Sequence, residues 1–153
     1  MDVTPVPDDF SALLRLLNEK SVRYLVIGAY AVAHHGYPRG TVDLDVWVAM
    51  DPTNARRVVE SLREFGFDVP DLTPGLFLEP KSIVRMGRPP YRIELSTTIS
   101  GVEFDECYAR AASGIVAEVP VRFLSLADLR KNKLASGRPK DLADLDQLPD
   151  PDA

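Results

Sequence analysis

Two aspartates two residues apart, Asp43 and Asp45, and a glutamate further along, Glu94, are the side chains of this sequence best suited to chemistry. In an extended strand, residues i and i+2 point to the same side, so the two aspartates set their oxygens together. With a third carboxylate from a neighbouring strand, such oxygens could bind two Mg²⁺ ions, hard cations that clamp a phosphoryl group in transfer. Ahead of them, Gly28 ends the apolar run Tyr24-Leu25-Val26-Ile27 and opens a helical stretch. Glycine at a strand-to-helix turn lets a ligand approach the backbone closely, and the amides of Ala29 and Tyr30 beyond it could hold phosphate oxygens. Each feature alone is weak; in this order the three describe a metal site for phosphoryl transfer.

The elements that must carry these residues can be read from periodicity. Phe10, Leu13, Leu14, Leu16 and Leu17 recur at helical spacing behind Asp8 and Asp9, which predicts a helix over 8–20 with acids at its positive end. The run at 24–27 reads as a strand buried on both faces, followed by a helix over 29–35 and a break at Gly36-Tyr37-Pro38-Arg39-Gly40. From Thr41 to Ala49 the chain alternates. Val42, Leu44, Val46 and Val48 form one face, and Thr41, Asp43, Asp45 and Trp47 the other, where the tryptophan suggests a cleft wall more than open water, though it could equally pack under a loop. Asp51-Pro52 opens a helix that Gly66 closes. Short strands are expected around 76–78 and 83–84, and 91–97 alternates again with Arg92, Glu94 and Ser96 on one face. A helix over 104–112, extended chain over 115–124, a helix from the Ser125 capping box to about Leu134, and a helix over 140–148 with Leu142, Leu145 and Leu148 inward complete the order. The expected fold class is therefore α+β, an α/β sandwich with a mixed sheet. Residues 1–148 are expected to form one domain, with 149–153 a flexible acidic tail.

Composition narrows the function classes. A chain of 153 residues can hold one core without staples, and the lone Cys107 cannot form an internal disulfide. The net charge of −5 is carried by the five acids from Asp141 onward, so the rest of the chain is balanced and a generally basic nucleic-acid-binding surface is disfavoured. Arg130, Lys131, Lys133, Arg138 and Lys140 form a local basic run. With no long apolar segment and no signal-like start, the expected address is the cytoplasm, with no membrane partner. His34 and His35, adjacent on a helix, diverge by about 100° and so cannot readily share a metal; they read as structural. Taken from spacing alone, Asp43 and Asp45 could equally be the wet face of an edge strand, and Glu94 could be a surface partner of Arg92.

The stretches Tyr24-Leu25-Val26-Ile27-Gly28-Ala29 and Gly36-Tyr37-Pro38-Arg39-Gly40-Thr41-Val42-Asp43-Leu44-Asp45 resemble the signature of the minimal nucleotidyltransferase superfamily, the polymerase-β-like fold. Arg92-Ile93-Glu94-Leu95 and Lys133-Leu134-Ala135-Ser136-Gly137-Arg138-Pro139-Lys140-Asp141 extend the likeness to small prokaryotic nucleotidyltransferase-like proteins related to AbiEii-type toxins. The resemblance implies a nucleotidyltransferase that moves a nucleoside monophosphate from an NTP to a hydroxyl on RNA, protein or a small molecule. It implies Mg²⁺ as cofactor, with two ions and Mn²⁺ as substitute, held by Asp43, Asp45 and Glu94 as catalytic carboxylates. Gly28, Ala29, Arg39, Thr41, Lys133 and Lys140 would bind the nucleotide, and a partner chain or a second copy would complete so small a domain. Two departures, Gly-Ala at the turn and Glu as the third acid, favour an alternative: a non-catalytic nucleotide-binding or interaction module that keeps the fold.

Overall fold

Among the described residues, six strands form one mixed sheet in the order Ile83–Met86, Arg92–Ser96, Asp43–Val48, Tyr24–Ile27, Val119–Phe123 and Ala112–Val116, and the reason lies in where the apolar faces fall. The computed structural model describes residues 7–37, 43–87 and 91–150. Helix α1 (Asp8–Glu19) starts with Asp8 and Asp9 in its first turn and buries Phe10, Leu13, Leu14 and Leu17. It leads into β1 (Tyr24–Ile27), buried at all four positions, as a strand with neighbours on both edges and cover on both faces must be. Helix α2 (Gly28–His34) follows directly.

Strand β2 (Asp43–Val48) runs antiparallel to β1, with Ile27 opposite Asp45. Helix α3 (Pro52–Phe65) has the sequence-predicted ends: Asp51 accepts the Asn54 amide at 2.9 Å, and Gly66 closes the helix in the left-handed conformation. Asn54 is buried and ties the strand ends to the helix, accepting from the Arg23 amide and donating to the Ala49 carbonyl. A 3₁₀ turn (Pro74–Leu78) replaces the strand expected at 76–78, because Pro74 and Gly75 start a turn that drops Phe77 into the core.

Strand β3 (Ile83–Met86) is antiparallel to β4 (Arg92–Ser96), and β4 is parallel to β2. Helix α4 (Phe104–Ala109) is shorter than predicted. The chain over 115–124 is no single extended run. β5 (Ala112–Val116) and β6 (Val119–Phe123) form an antiparallel hairpin about Ala117-Glu118, and β6 then pairs parallel with β1. Helices α5 (Leu126–Ser136) and α6 (Pro139–Gln147) close the chain, with Ser125 capping α5 as predicted.

The architecture is α+β with a mixed sheet, as the element order implied. One core spans both faces of the sheet, from Leu13, Leu25 and Val46 to Phe77 and Leu129. Trp47 belongs to that core. It is 1% exposed, meets Phe104 edge-to-face at 5.1 Å and donates its indole N–H to the Thr97 carbonyl, so it packs beneath α4 instead of walling a cleft. His34 and His35 are structural as read: one stacks on Phe123 at 4.2 Å, and a ring nitrogen of the other lies 2.7 Å from the Leu124 carbonyl. Cys107 is buried, and burial pushes its thiol up to about 12, which leaves no nucleophile there. Among the described residues, no helix is long and apolar enough to cross a membrane.

Candidate active site

Parallel pairing of β2 with β4 sets Asp45 beside Glu94 and Asp43 beside Arg92. Because register neighbours and i, i+2 residues share a face, the three carboxylates lie on one side of the sheet. They line one cleft of about 570 Å³. Its floor is the β1–β2–β4 edge with Gly28, and its far wall is the α5–α6 corner, which brings Lys133, Ser136, Arg138 and Lys140 to face the acids. That corner is sharp because Gly137 ends α5 at φ 63° and Pro139 starts α6 at once.

Gly28 has a more specific duty than a loose turn. Its φ is +67°, and a Cβ placed on it would lie 2.2 Å from Oδ2 of Asp45 and 3.0 Å from Cγ. The missing side chain is therefore the space that the Asp45 carboxylate occupies. Asp45 is only partly exposed, and burial together with the charges of Glu94 and Asp43 pushes its carboxyl up to about 6, with Lys140 and Lys133 pulling the other way. Both lysines thus act electrostatically on Asp45.

The lysines differ in setting. Lys133 is 4% exposed and sits between Asp141, at 3.0 Å, and Asp144, at 3.1 Å. Asp141 also accepts from Arg138 at 2.7 Å and from Ser136. Burial opposes ionisation of Asp141, but hydrogen bonds from Ser136, Arg138 and Lys133 outweigh it and bring the carboxyl down to about 2. Lys140 is exposed at the cleft mouth. The inward face of α6 is consequently built on Asp141, Asp144 and Leu148, while Leu142, expected inward, is 43% exposed. The ion network and Leu148 face inward together, with Leu145 half-buried, and only Leu142 departs from the expected face.

Glu94 has an ion-pair partner, and it is not Arg92. Arg85 of β3 stands opposite Glu94 in the antiparallel ladder and donates Nε to Oε2 at 3.0 Å. Arg85 also lines the cleft. Its alternation with Val84 and Met86 was visible in the sequence; its pairing across to β4 was not. Gly28, Asp43, Asp45, Glu94, Lys133 and Lys140 thus meet at one cleft, whereas Ala29 lies in α2 outside the lining, and Arg39 and Thr41 lie outside the described residues.

The donor set is all carboxylate oxygen, the chemistry that Mg²⁺ or Mn²⁺ takes. Among the described residues, no three His, Cys, Asp or Glu side chains converge as a ready-made metal centre. Glu94 is paired instead with Arg85, at 3.0 Å. In donor chemistry and shared face the three carboxylates suit a divalent cation.

No protein-family model matches the sequence, and no curated protein matches it. Solved structures do. A candidate nucleotidyltransferase from Thermotoga maritima is similar with a TM-score of 0.60 at 16% identity, over 90% of this chain and 88% of that one. ANT(2")-Ia in complex with adenylyl-2"-tobramycin is similar with a TM-score of 0.52 at 14% identity, over 90% of this chain and 84% of that one. At such identities the likeness carries the fold: the chain has the fold of these nucleotidyltransferases.

Proposed function

We propose that this nucleotidyltransferase-fold protein transfers a nucleoside monophosphate from an NTP to a hydroxyl acceptor, with divalent-cation dependence. The observation that carries the reading is the alignment of Asp43, Asp45 and Glu94 across β2 and β4, with Gly28 cleared for Asp45, opposite a cationic α5–α6 corner.

In this reading Asp43, Asp45 and Glu94 hold Mg²⁺ or Mn²⁺, as one ion or two. The ion would supply Lewis-acid neutralisation of charge at the α-phosphate and acidify the attacking hydroxyl. The chain's own groups do the rest. Asp43 and Asp45 would present their oxygens to the ion from one face of β2, and Gly28 leaves room for the Asp45 carboxylate. Lys140 at the cleft mouth, with Lys133 behind it, offsets triphosphate charge. Arg39, Thr41 and the Gly28–Ala29 turn are assigned to the nucleotide by the sequence resemblance. The acceptor oxygen forms its bond to the α-phosphorus as the bond to the bridging oxygen breaks, Glu94 takes the hydroxyl proton, and pyrophosphate leaves.

The acceptor is an RNA end, a protein hydroxyl or a small molecule. The adenylated tobramycin held by ANT(2")-Ia illustrates the last class for that protein. A toxin-like role rests on the resemblance to AbiEii-type proteins, and a partner chain or second copy would supply acceptor recognition.

The test is a titration of Mn²⁺ and then of each NTP into wild type, Asp45→Asn and Asp43→Asn/Asp45→Asn, followed by pyrophosphate release in a bacterial lysate. The reading expects Mn²⁺-dependent nucleotide binding and release in wild type alone. Metal-dependent binding without release by any nucleotide would leave the non-catalytic module as the better account.

A further inference from the structure

One cation of the cleft is engaged by a carboxylate that the chemistry needs elsewhere. Lys133 and Arg138 are both committed to Asp141, one of the least exposed carboxylates in the structure. Arg85 is instead committed to Glu94, and its own side chain is 63% exposed on β3, the first strand of the sheet order. We propose that Arg85 is a triphosphate-binding residue of this cleft and that Glu94 controls its availability. The inference rests on the nucleotidyl-transfer reading and deepens it.

Three observations lead there. Arg85 and Glu94 are direct cross-strand partners, so both side chains leave the sheet on the face that carries Asp45. Both line the same cleft, and Lys140 stands on its opposite wall, so an anion between the walls meets cations from two sides. The pair itself is weak. An exposed ion pair holds its partners by no more than about fivefold in equilibrium terms, which leaves the guanidinium free to exchange. A phosphate offers that guanidinium two parallel N–H···O bonds, the geometry that arginine fits best.

Two arrangements follow. Without ligands, Arg85 neutralises Glu94 and relieves its repulsion of Asp45. With ligands, Glu94 turns toward Asp43 and Asp45 as they take the cation, and Arg85 turns to the β- and γ-phosphates. Each ligand removes the competitor of the other, so the two bind with positive coupling, and the coupling is reciprocal.

Inorganic tripolyphosphate is the probe, titrated calorimetrically in EDTA into the full chain as wild type, Glu94→Gln, Arg85→Ala and the double variant. Glu94→Gln should tighten binding by about fivefold by freeing Arg85. In the Arg85→Ala background the same change should move binding by less than about twofold. Equal gains in both backgrounds would mean that Glu94 acts only as a negative charge, and would overturn the proposal. Mn²⁺ alone, followed by electron paramagnetic resonance, should bind Arg85→Ala about threefold tighter than wild type, since Glu94 has lost its competitor. With Mn²⁺ present, tripolyphosphate should bind that variant about tenfold more weakly. Unchanged or weaker Mn²⁺ binding by Arg85→Ala also overturns it. Asp45→Asn separates the two levels: Mn²⁺ binding that survives it defeats the metal-site reading, while the metal-free cycle still judges Arg85. Arg85 is on the surface, and thermal melting of each variant verifies the fold.

Discussion

Gly28→Ala is the most informative single change, because two independent penalties meet at that residue. Its φ of +67° lies in the left-handed region, where a side chain costs about 1–2 kcal/mol. The added methyl would also lie 2.2 Å from Oδ2 of Asp45, well inside contact distance. Moving that carboxylate within a packed strand adds about 1–3 kcal/mol, as overpacking usually does. The sum is about 3.5 kcal/mol at mid-range, which for a chain of this size lowers the melting temperature by roughly 7–14 °C. Asp45→Ala removes the closest clash and leaves only its Cβ, at 3.0 Å, so in that background Gly28→Ala should cost clearly less, nearer the backbone share of about 1–2 kcal/mol. Thermal melts and urea titrations of the four proteins give the coupling directly. A penalty that is the same in both backgrounds would refute the claim that Gly28 exists to admit Asp45. Mn²⁺ binding should fall with Gly28→Ala more than tenfold, because the displaced carboxylate is one of its proposed ligands.

Three further outcomes are expected. Asp45 is raised from 3.8 to about 6, so its protonated form favours the metal-free fold; that stability is complete below pH 3.8 and is lost as pH rises through about 6. Melts in EDTA should therefore drop between about pH 4 and 7 in wild type and much less in Asp45→Asn; a parallel drop in the variant would assign the effect elsewhere. Asp141 is lowered to about 2, so its contribution is present above pH 3.8 and fades as pH falls toward 2; urea midpoints should show this in wild type and much less in Asp141→Asn. Lys133→Ala removes the ammonium that two buried carboxylates share and should cost about 3–5 kcal/mol in urea unfolding; a cost under about 1 kcal/mol would show the network to be ornamental.

The alternating strands β2 and β4 and the capped helices α3 and α5 were legible because their signals are local: a period of two, an Asx or Ser cap, a glycine stop. The shared face of Asp43 and Asp45 followed from the same period, and their meeting with Glu94 was implied only by the resemblance. What the chain conceals is non-local. The β5–β6 hairpin turns at Ala117-Glu118, both with positive φ, where the usual Asn-Gly signature is missing, so the sequence reads as one extended run. Leucine spacing put Leu142 inward, where it is not, because Lys133, six residues before α6 in the last turns of α5, draws Asp141 and Asp144 inward. Trp47 looked like a cleft wall because alternation assigns a face but cannot say that α4 covers that part of it. Arg85 was invisible as a partner of Glu94 until the register of β3 on β4 was known.

The central claim is that the carboxylates of this cleft support transfer of the α-phosphoryl group with its nucleoside. The direct measurement follows α-labelled and γ-labelled NTPs in parallel, with Mg²⁺ and a bacterial lysate as the source of acceptors, for wild type and Asp43→Asn/Asp45→Asn. The account predicts that wild type moves the α-label onto an acceptor and releases the γ-label as pyrophosphate, and that the double variant does neither. Transfer of the γ-label, or α-label transfer that persists in the double variant, would contradict it.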